Sequence, residues 1–405
     1  MTKTATQKNI PEGWDIASIA DVTENLDNRR KPVTKSERKS GSIPYYGATG
    51  IVDYVADYLF DEPLLLVGED GADWSKHANT AYLVDGKSWV NNHAHVLRCT
   101  RASRVFLKEY LNYQDLNNFV TGGTRGKLTK GDLGKISITL PPEPEQERIA
   151  EILSTVDEEI QKTDEVIAAA EKLRRGLMQR LFTRGIGHTK FKKAEIGEIP
   201  EEWGASTIKE SSIELIDGDR GVNYPKLKDF SPEGFCLFLS AKNVTKNGFI
   251  FNEASFITKE KDSALRKGKL QRGDVVLTSR GTVGNVAYYD EGAPYGNVRI
   301  NSGMLIIRHG KQFNPVFLYQ YFSGPQMRKM YLSMGSGSAQ PQLPIRSLEQ
   351  IRIPIIPLTE QGKISEIIRS VNVKIAVSKQ IKEKLSALKK GLMQDLLSGR
   401  IRIKI

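Results

Sequence analysis

The feature that most constrains this chain is an internal duplication. Ile10-Pro11-Glu12-Gly13-Trp14 returns as Ile199-Pro200-Glu201-Glu202-Trp203, 189 residues later. Leu64-Leu65-Leu66-Val67, running to Gly71, matches Asp274-Val275-Val276-Leu277, running to Gly281, at a separation of 210. The same separation carries Val90-Asn91 to Ile300-Asn301 and Val96-Leu97-Arg98 to Ile306-Ile307-Arg308. Val105-Phe106-Leu107 matches Val316-Phe317-Leu318 at 211, while Glu145-Gln146 and Gly176-Leu177-Met178-Gln179 match Glu360-Gln361 and Gly391-Leu392-Met393-Gln394 at a constant 215. A drifting separation marks loops that accept insertions. A fixed one marks helices, because each added residue turns an apolar seam by about 100°. Two copies with so long a period are a tandem duplication, not a solenoid.

Each copy thus has a variable head and a constrained tail. In the heads, short apolar runs alternate with Gly, Asn, Asp and Pro, which reads as short strands joined by turns: Tyr82–Val84, Val96–Arg98, Gly273–Thr278, Val286–Tyr289 and Met304–Arg308. Val105–Leu116 and Pro315–Tyr331 are expected to be helical. The tails follow Pro141-Pro142-Glu143-Pro144 and the Pro354 to Pro357 segment, with Glu145 and Glu147 suited to a helix start. Apolar residues then recur at alternating intervals of four and three from Ile149 to Leu181, with Thr163 and Arg174 in the seam. In the second copy they run from Ile364 to Leu396, interrupted by Ser378, Lys382 and Lys389. Such a stripe can lie on its own head or on the other helix. Roughly 38 residues at about 1.5 Å each make a rod of ~57 Å, more than one small head covers, which favours pairing. Antiparallel pairing would set the heads at opposite ends.

The expected fold class is α+β: two strand-rich mixed α/β domains in tandem, each followed by a long helix, the helices pairing as an antiparallel coiled coil with pseudo-twofold symmetry. The boundaries are a first head at 1–144, a helix at 145–184, a linker at 185–198, a second head at 199–358, a helix at 359–398 and a tail at 399–405.

The formal charge of +11 is unevenly spread. Residues 1–144 are net neutral, 145–199 carry −1, 200–358 carry +5 and 359–405 carry +7. Charge alone is therefore weak support for a nucleic-acid partner, since a solvated basic helix face explains it equally well. The N-terminus has no apolar segment of the kind a signal peptide needs, and no apolar run reaches the ~18 residues of a membrane helix. Cys99 and Cys236 suggest reduced core residues in a cytoplasmic protein.

No catalytic constellation emerges. Gly122-Gly123-Thr124-Arg125-Gly126-Lys127 lacks the spacing of a phosphate-binding loop, and its counterpart Gly335-Ser336-Gly337-Ser338-Ala339 has no lysine. His93 and His95 lack an evident third metal ligand nearby, so no metal site is expected. Neither an Asn-Pro-Pro-Tyr-like motif nor a glycine-rich cofactor loop is present. What remains suits recognition. In the first head, polar loop residues able to meet base edges or phosphates are Arg29, Arg30 and Lys31; Tyr46 and Thr49, beside Tyr45, which reads equally as core; Asn92 and His93; and Arg125 and Lys127. In the second they are Lys242 and Asn243; Ser279, Arg280 and Thr282; and Ser338, Gln340 and Gln342. Arginine pairs with guanine and Asn or Gln with adenine, while lysine and backbone amides hold phosphates. Taken singly, each is more readily an ordinary solvated loop residue. The case rests on polar clusters in both copies, near glycines that let a ligand approach.

The chain resembles the specificity subunits of type I restriction–modification systems. The likeness is carried by Pro44-Tyr45-Tyr46-Gly47, Val90-Asn91-Asn92-His93, and Pro141-Pro142 with Glu145-Gln146 and Ile149. In the second half it is carried by Gly273-Asp274-Val275-Val276-Leu277 with Arg280-Gly281 and Gly284, then Gln342, and Pro357 with Glu360-Gln361. The resemblance implies that each head is a target recognition domain reading one half of a bipartite, asymmetric site in double-stranded DNA. The helices would act as a spacer; half-sites one turn apart are separated by ~34–36 Å, the order of the rod length above. It also implies a non-catalytic subunit with no cofactor of its own. Two methyltransferase subunits would bring S-adenosylmethionine and methylate a flipped adenine, and restriction subunits would use ATP and Mg. The near-neutral first head departs from a simple basic surface, so Arg29–Lys31 would have to serve as its basic patch. The competing readings are a single-chain restriction or methylation enzyme, and a scaffold whose heads bind protein.

Overall fold

The computed structural model describes residues 10–122, 126–335 and 342–403. The chain forms two compact units, 1–166 with 378–405, and 167–377, so each long helix contributes one half to each unit. Each unit contains one head.

Both heads use the same strand plan. In the first, the sheet order is Thr23–Asn25, Ala94–Cys99, Leu64–Gly68, Ala81–Val84. In the second it is Glu214–Asp217, Met304–Arg308, Val275–Thr278, Val286–Tyr288. Leu64 to Val67 are all fully buried, as are Val275 to Leu277. That explains why these central strands read as unbroken apolar runs, each side chain contributing about 1.5–3 kcal/mol by burial. A second sheet in each head contains a parallel pair. Tyr45 and Tyr46 lie beside Trp89 and Val90 in one head, and Leu237 to Leu239 beside Val298 to Ile300 in the other. A two-stranded ribbon closes each head: Asp15–Ser18 with Ser137–Leu140, and Gly204–Thr207 with Arg352–Ile355.

The expected helix over Pro315–Tyr331 is two, Pro315–Phe322 and Pro325–Gly335. Pro325 lacks an amide hydrogen and its ring clashes with the preceding turn, so the first helix stops before it. The stretch at 185–198 contains the strand Phe191–Ala194, paired with Gly197–Pro200 in a hairpin. Most of the drift in repeat spacing falls between Asp217 and Asp274. There the second head adds the hairpin of Val244–Thr245 with Gly248–Phe249 and the helix Lys259–Ala264.

The long helices run Glu143–Arg184 and Leu358–Leu397. In the first unit they pair antiparallel: Lys389 meets Asp157 and Lys382 meets Asp164, both at 2.7 Å, so one index rises as the other falls. In the second unit Arg174 donates to Asn372 at 3.3 Å. Three of the polar residues that interrupt the apolar seam, Arg174, Lys382 and Lys389, are thus cross-helix partners, whereas Thr163 bonds the Glu159 carbonyl of its own helix. Each head also packs on both helices. Ile149, Leu153, Met393, Leu396 and Leu397 join the first core, and Ile364, Ile368, Met178, Leu181 and Phe182 join the second.

The oldest-looking repeats explain themselves here. Buried Glu145 accepts the Trp14 indole N–H at 3.0 Å, and Glu360 accepts that of Trp203 at 2.9 Å. Gln146 accepts the Ser103 amide and donates to Pro141 O, both at 2.8 Å. Gln361 accepts the Asn314 amide at 2.8 Å and donates to Ile356 O at 2.7 Å. The segment after each helix returns to the opposite carboxylate: Arg402 forks onto Glu145 with two bonds of 2.8 Å, and His188 approaches Glu360 at 3.0 Å. Both cysteines are free, and burial pushes their thiols up, Cys99 to about 11 and Cys236 to about 12.

Candidate nucleic-acid interface

Three segments meet at one edge of the central sheet in each head, held by matching backbone bonds. Glu69 N–H donates to His93 O at 2.9 Å and Leu128 N–H to Glu69 O at 2.8 Å. In the second head Ser279 N–H donates to Gly303 O at 2.8 Å and Leu343 N–H to Ser279 O at 2.9 Å. Asp70 bridges Lys127, and Arg280 bridges Gln342. The turn is fixed by Asn91 Oδ1 on the His93 amide at 2.8 Å, and by Asn301 Oδ1 on the Gly303 amide at 2.9 Å. Gly71 and Gly281, with φ of +70° and +72°, take the left-handed turn that leads away from the edge.

A fourth element is shared. Asp27 and Arg30 correspond to Asp217 and Arg220, each an ion pair three residues apart, at 3.4 and 2.9 Å. The arginines donate to equivalent turn carbonyls, Arg30 to Asn92 at 3.4 Å and Arg220 to Ser302 at 3.3 Å.

On this common frame the side chains diverge. In the first head Arg30 also pairs with Glu69, Lys127 holds Glu69 at 2.8 Å, and His95 Nδ1 meets Asp27 at 2.6 Å. The Arg30 side chain is only 13% exposed. Burial alone would raise the carboxyls of Asp27 and Glu69, but the bonds from His95 to Asp27, and from Lys127 and Arg30 to Glu69, outweigh it and hold both below their ordinary values. Asp27, Glu69 and His95 converge within 4.8 Å, a donor set a divalent cation would accept. Arg30 and Lys127 already supply the positive charge there. His93 lies outside that group and pairs with Asp70 at the surface. In the second head Ser279 stands at the place of Glu69 and Leu305 at that of His95, so among the described residues Arg220 keeps only Asp217 as an ion partner and is 45% exposed. Arg220, Arg280, Gln342 and Arg346 line a cavity of about 280 Å³ with Asp217 and Ser279.

The structure therefore gathers Arg30, Asn92, His93 and Lys127 at one edge, and Ser279, Arg280 and Gln342 at the other, with Thr282 in the same loop as Arg280. Thr49 adjoins the first edge, because Gly68 leaves room for the Ala48 carbonyl; a Cβ there would stand 3.0 Å from it. The Arg29–Lys31 run is not a single basic patch. Arg29 is tied to Glu62 at 3.0 Å over the Phe60 ring, Arg30 is buried in the ion network, and Lys31 alone is exposed without an ion pair among the described residues. Tyr45 is core, 1% exposed, and Tyr46 stacks on Tyr82. Lys242 pairs with Glu253 at 2.7 Å, away from the edge. Asn243 is buried and spends its amide on Ser240, Ile250 and Glu253, which leaves nothing to read a base. Arg125, Ser338 and Gln340 lie outside the described residues. Sequence reading missed Asp217, Arg220 and Arg346. The first two were visible as Asp27-Asn28-Arg29-Arg30 against Asp217-Gly218-Asp219-Arg220, 190 residues apart.

Residues 11–171 and 200–387 match the family described as type I restriction modification DNA specificity domain, once per copy. The chain belongs to that family. It is 28% identical to the type I restriction enzyme MjaVIII specificity subunit of Methanocaldococcus jannaschii, over 98% of this chain and 94% of the relative. It is 27% identical to the putative specificity subunit S.HindORF215P of Haemophilus influenzae, over 89% of each. Its fold is similar to the crystal structure of a type I restriction-modification S subunit from M. genitalium, with a TM-score of 0.60 and 16% identity over 97% of this chain and 98% of that one. A second solved chain, from work on assembly and conformational transition of the type I R-M system, gives a TM-score of 0.57 and 17% identity over 97% and 100%. Among the described residues no helix is long and apolar enough to cross a membrane.

Proposed function

We propose that this chain is the DNA sequence-recognition subunit of a type I restriction–modification enzyme. Each head reads one half of a bipartite, asymmetric site, and the long helices set the number of unread base pairs and dock methyltransferase subunits. The observation that carries the reading is the contrast at the sheet edge. One backbone frame, matched bond for bond, presents Asp70 and Lys127 in one head and Arg280 and Gln342 in the other. Readers of two different sequences need such a frame with changed side chains. The names of the relatives support the same reading. In it the chain itself performs no chemistry. S-adenosylmethionine belongs to the methyltransferase subunits, ATP and Mg to the restriction subunits, and the target adenine flips into a partner's pocket.

The test is to coexpress the chain with its methyltransferase subunits and map methylated adenines. A two-part motif supports the proposal, and an active complex with no sequence preference sinks it. S-adenosylmethionine binding by the isolated chain would favour a single-chain enzyme instead. A protein-binding scaffold would show no salt-dependent affinity for DNA.

A further inference from the structure

We infer that the second head reads a guanine with Arg280, in the cavity that Arg280 shares with Asp217, Arg220, Ser279, Gln342 and Arg346. The inference rests on the recognition role proposed above and assigns it a residue and a base.

Three arginines and one aspartate line a cavity of about 280 Å³. Arg280 and Arg346 are exposed and make no ion pair among the described residues, so their donors are available to a ligand. Arg220 is not free to swing: Asp217 holds it at 2.9 Å and the Ser302 carbonyl at 3.3 Å. Arg280 is aligned by its own backbone, through its amide on Gly303 O at 3.1 Å and its bridge to Gln342. An arginine fork matches two acceptors in one plane, which guanine O6 and N7 present in the major groove. Gln342 adds a side chain with both a donor and an acceptor, useful against a base edge.

A phosphate is the other anionic or acceptor-rich group that DNA offers, and the comparison of the two heads disfavours it here. Phosphates are identical in both half-sites, so a phosphate clamp should recur at the matched position of the first head. It does not: Asp70 replaces Arg280, and Glu69 replaces Ser279 and neutralises Arg30, leaving that arginine 13% exposed against 45% for Arg220. A charge reversal on the shared edge, Asp70 against Arg280, is where the two heads should differ in the base read.

The experiment uses the chain assembled with its methyltransferase subunits, first with the native protein and altered DNA. Each guanine of the second half-site is replaced in turn by 7-deazaguanine, which lacks the N7 acceptor. One such position should weaken binding about tenfold, from the loss of a bidentate base contact. The Arg280→Ala complex should lose about the same factor on unmodified DNA, gain no further loss from 7-deazaguanine there, and accept other bases at that position in methylation maps. The first half-site should be unchanged. If no guanine in the second half-site is sensitive to N7 removal, the inference falls even if Arg280→Ala fails to fold. It falls too if Arg280→Ala weakens every DNA sequence equally and Arg280→Lys restores it, the behaviour of a phosphate contact. A native complex with no two-part motif overturns the recognition role itself, and this inference with it. A motif that Arg280→Ala leaves intact overturns this inference alone.

Discussion

Glu145 and Glu360 each receive an indole N–H and a group from the segment behind the opposite helix, so the two helix starts are near copies. Glu69 and Ser279 are matched just as closely by the repeat and by their backbone bonds, yet one carries a charge network and the other lines an arginine-rich cavity. The duplication has kept what fixes a head to its helix and released what faces outward from the sheet edge. A third matched place lies between these extremes. Glu109, fully buried, pairs with Lys108 and with Lys389, which also meets Asp157. Its counterparts are Gln320, Tyr319, Arg174 and Asn372, where hydrogen bonds replace ion pairs.

That last difference should produce the largest energetic asymmetry. Glu109→Ala removes the fully buried carboxylate and leaves Lys108 and Lys389 to share the partly exposed Asp157, so the loss should fall toward the lower end of the about 3–5 kcal/mol that breaking a buried ion pair costs. Gln320→Ala removes a neutral bond worth about 1 kcal/mol. Denaturant unfolding of the two variants should therefore differ severalfold in the loss of midpoint stability. Similar losses would break the distinction between the junctions.

Next in size are the shared anchors. Glu145→Gln and Glu360→Gln each weaken charge-assisted bonds, at about 1.5–3 kcal/mol, and similar losses in both are expected. Burial opposes the charge on Glu145, but Arg402, Trp14 and the Ile403 amide outweigh it, so its folded pKa lies below the ordinary 4.5. A lowered folded pKa gives stability that is fully present above the unfolded value and lost as pH falls through the folded one. The gap between native and Glu145→Gln unfolding midpoints should be constant from pH 7 to about 5 and shrink below about 4.5. A gap that widens on acidification would contradict this account.

Ser279→Glu should have a smaller effect on stability and a clear one on DNA. It places in the second head the carboxylate that closes the first, drawing in Arg220 and cancelling one of the cavity's two net positive charges. Cognate affinity should fall about tenfold through the second half-site alone, read by binding to DNA with each half-site scrambled in turn.

The fold was legible where the pattern is long or repeated. The fixed separation of 215 pointed to helices and the length of the apolar stripe to their pairing, and the apolar runs at Leu64 and Val275 gave the central strands. The reading edge was only half legible, because sequence shows which residues are polar but not which are already satisfied. Asn243 and Arg30 look like readers and are consumed internally, whereas Arg220 escaped notice because its partner three residues earlier falls outside the quoted repeats. The break at Pro325 was there to be seen and was overridden by the apolar run around it.

The smallest expected effect sharpens the boundary of the edge. Lys242 was a candidate by composition, but its ammonium pairs with Glu253 at 2.7 Å with both side chains more than 70% exposed. Such surface pairs contribute about 0–1 kcal/mol because water and salt screen them. Lys242→Ala should leave unfolding nearly unchanged and the methylation motif identical, with at most a slight weakening of all DNA binding at low salt. A change in the bases read would mean that the insertion between Asp217 and Asp274 also reads DNA. The reader would then extend beyond the frame the two heads share.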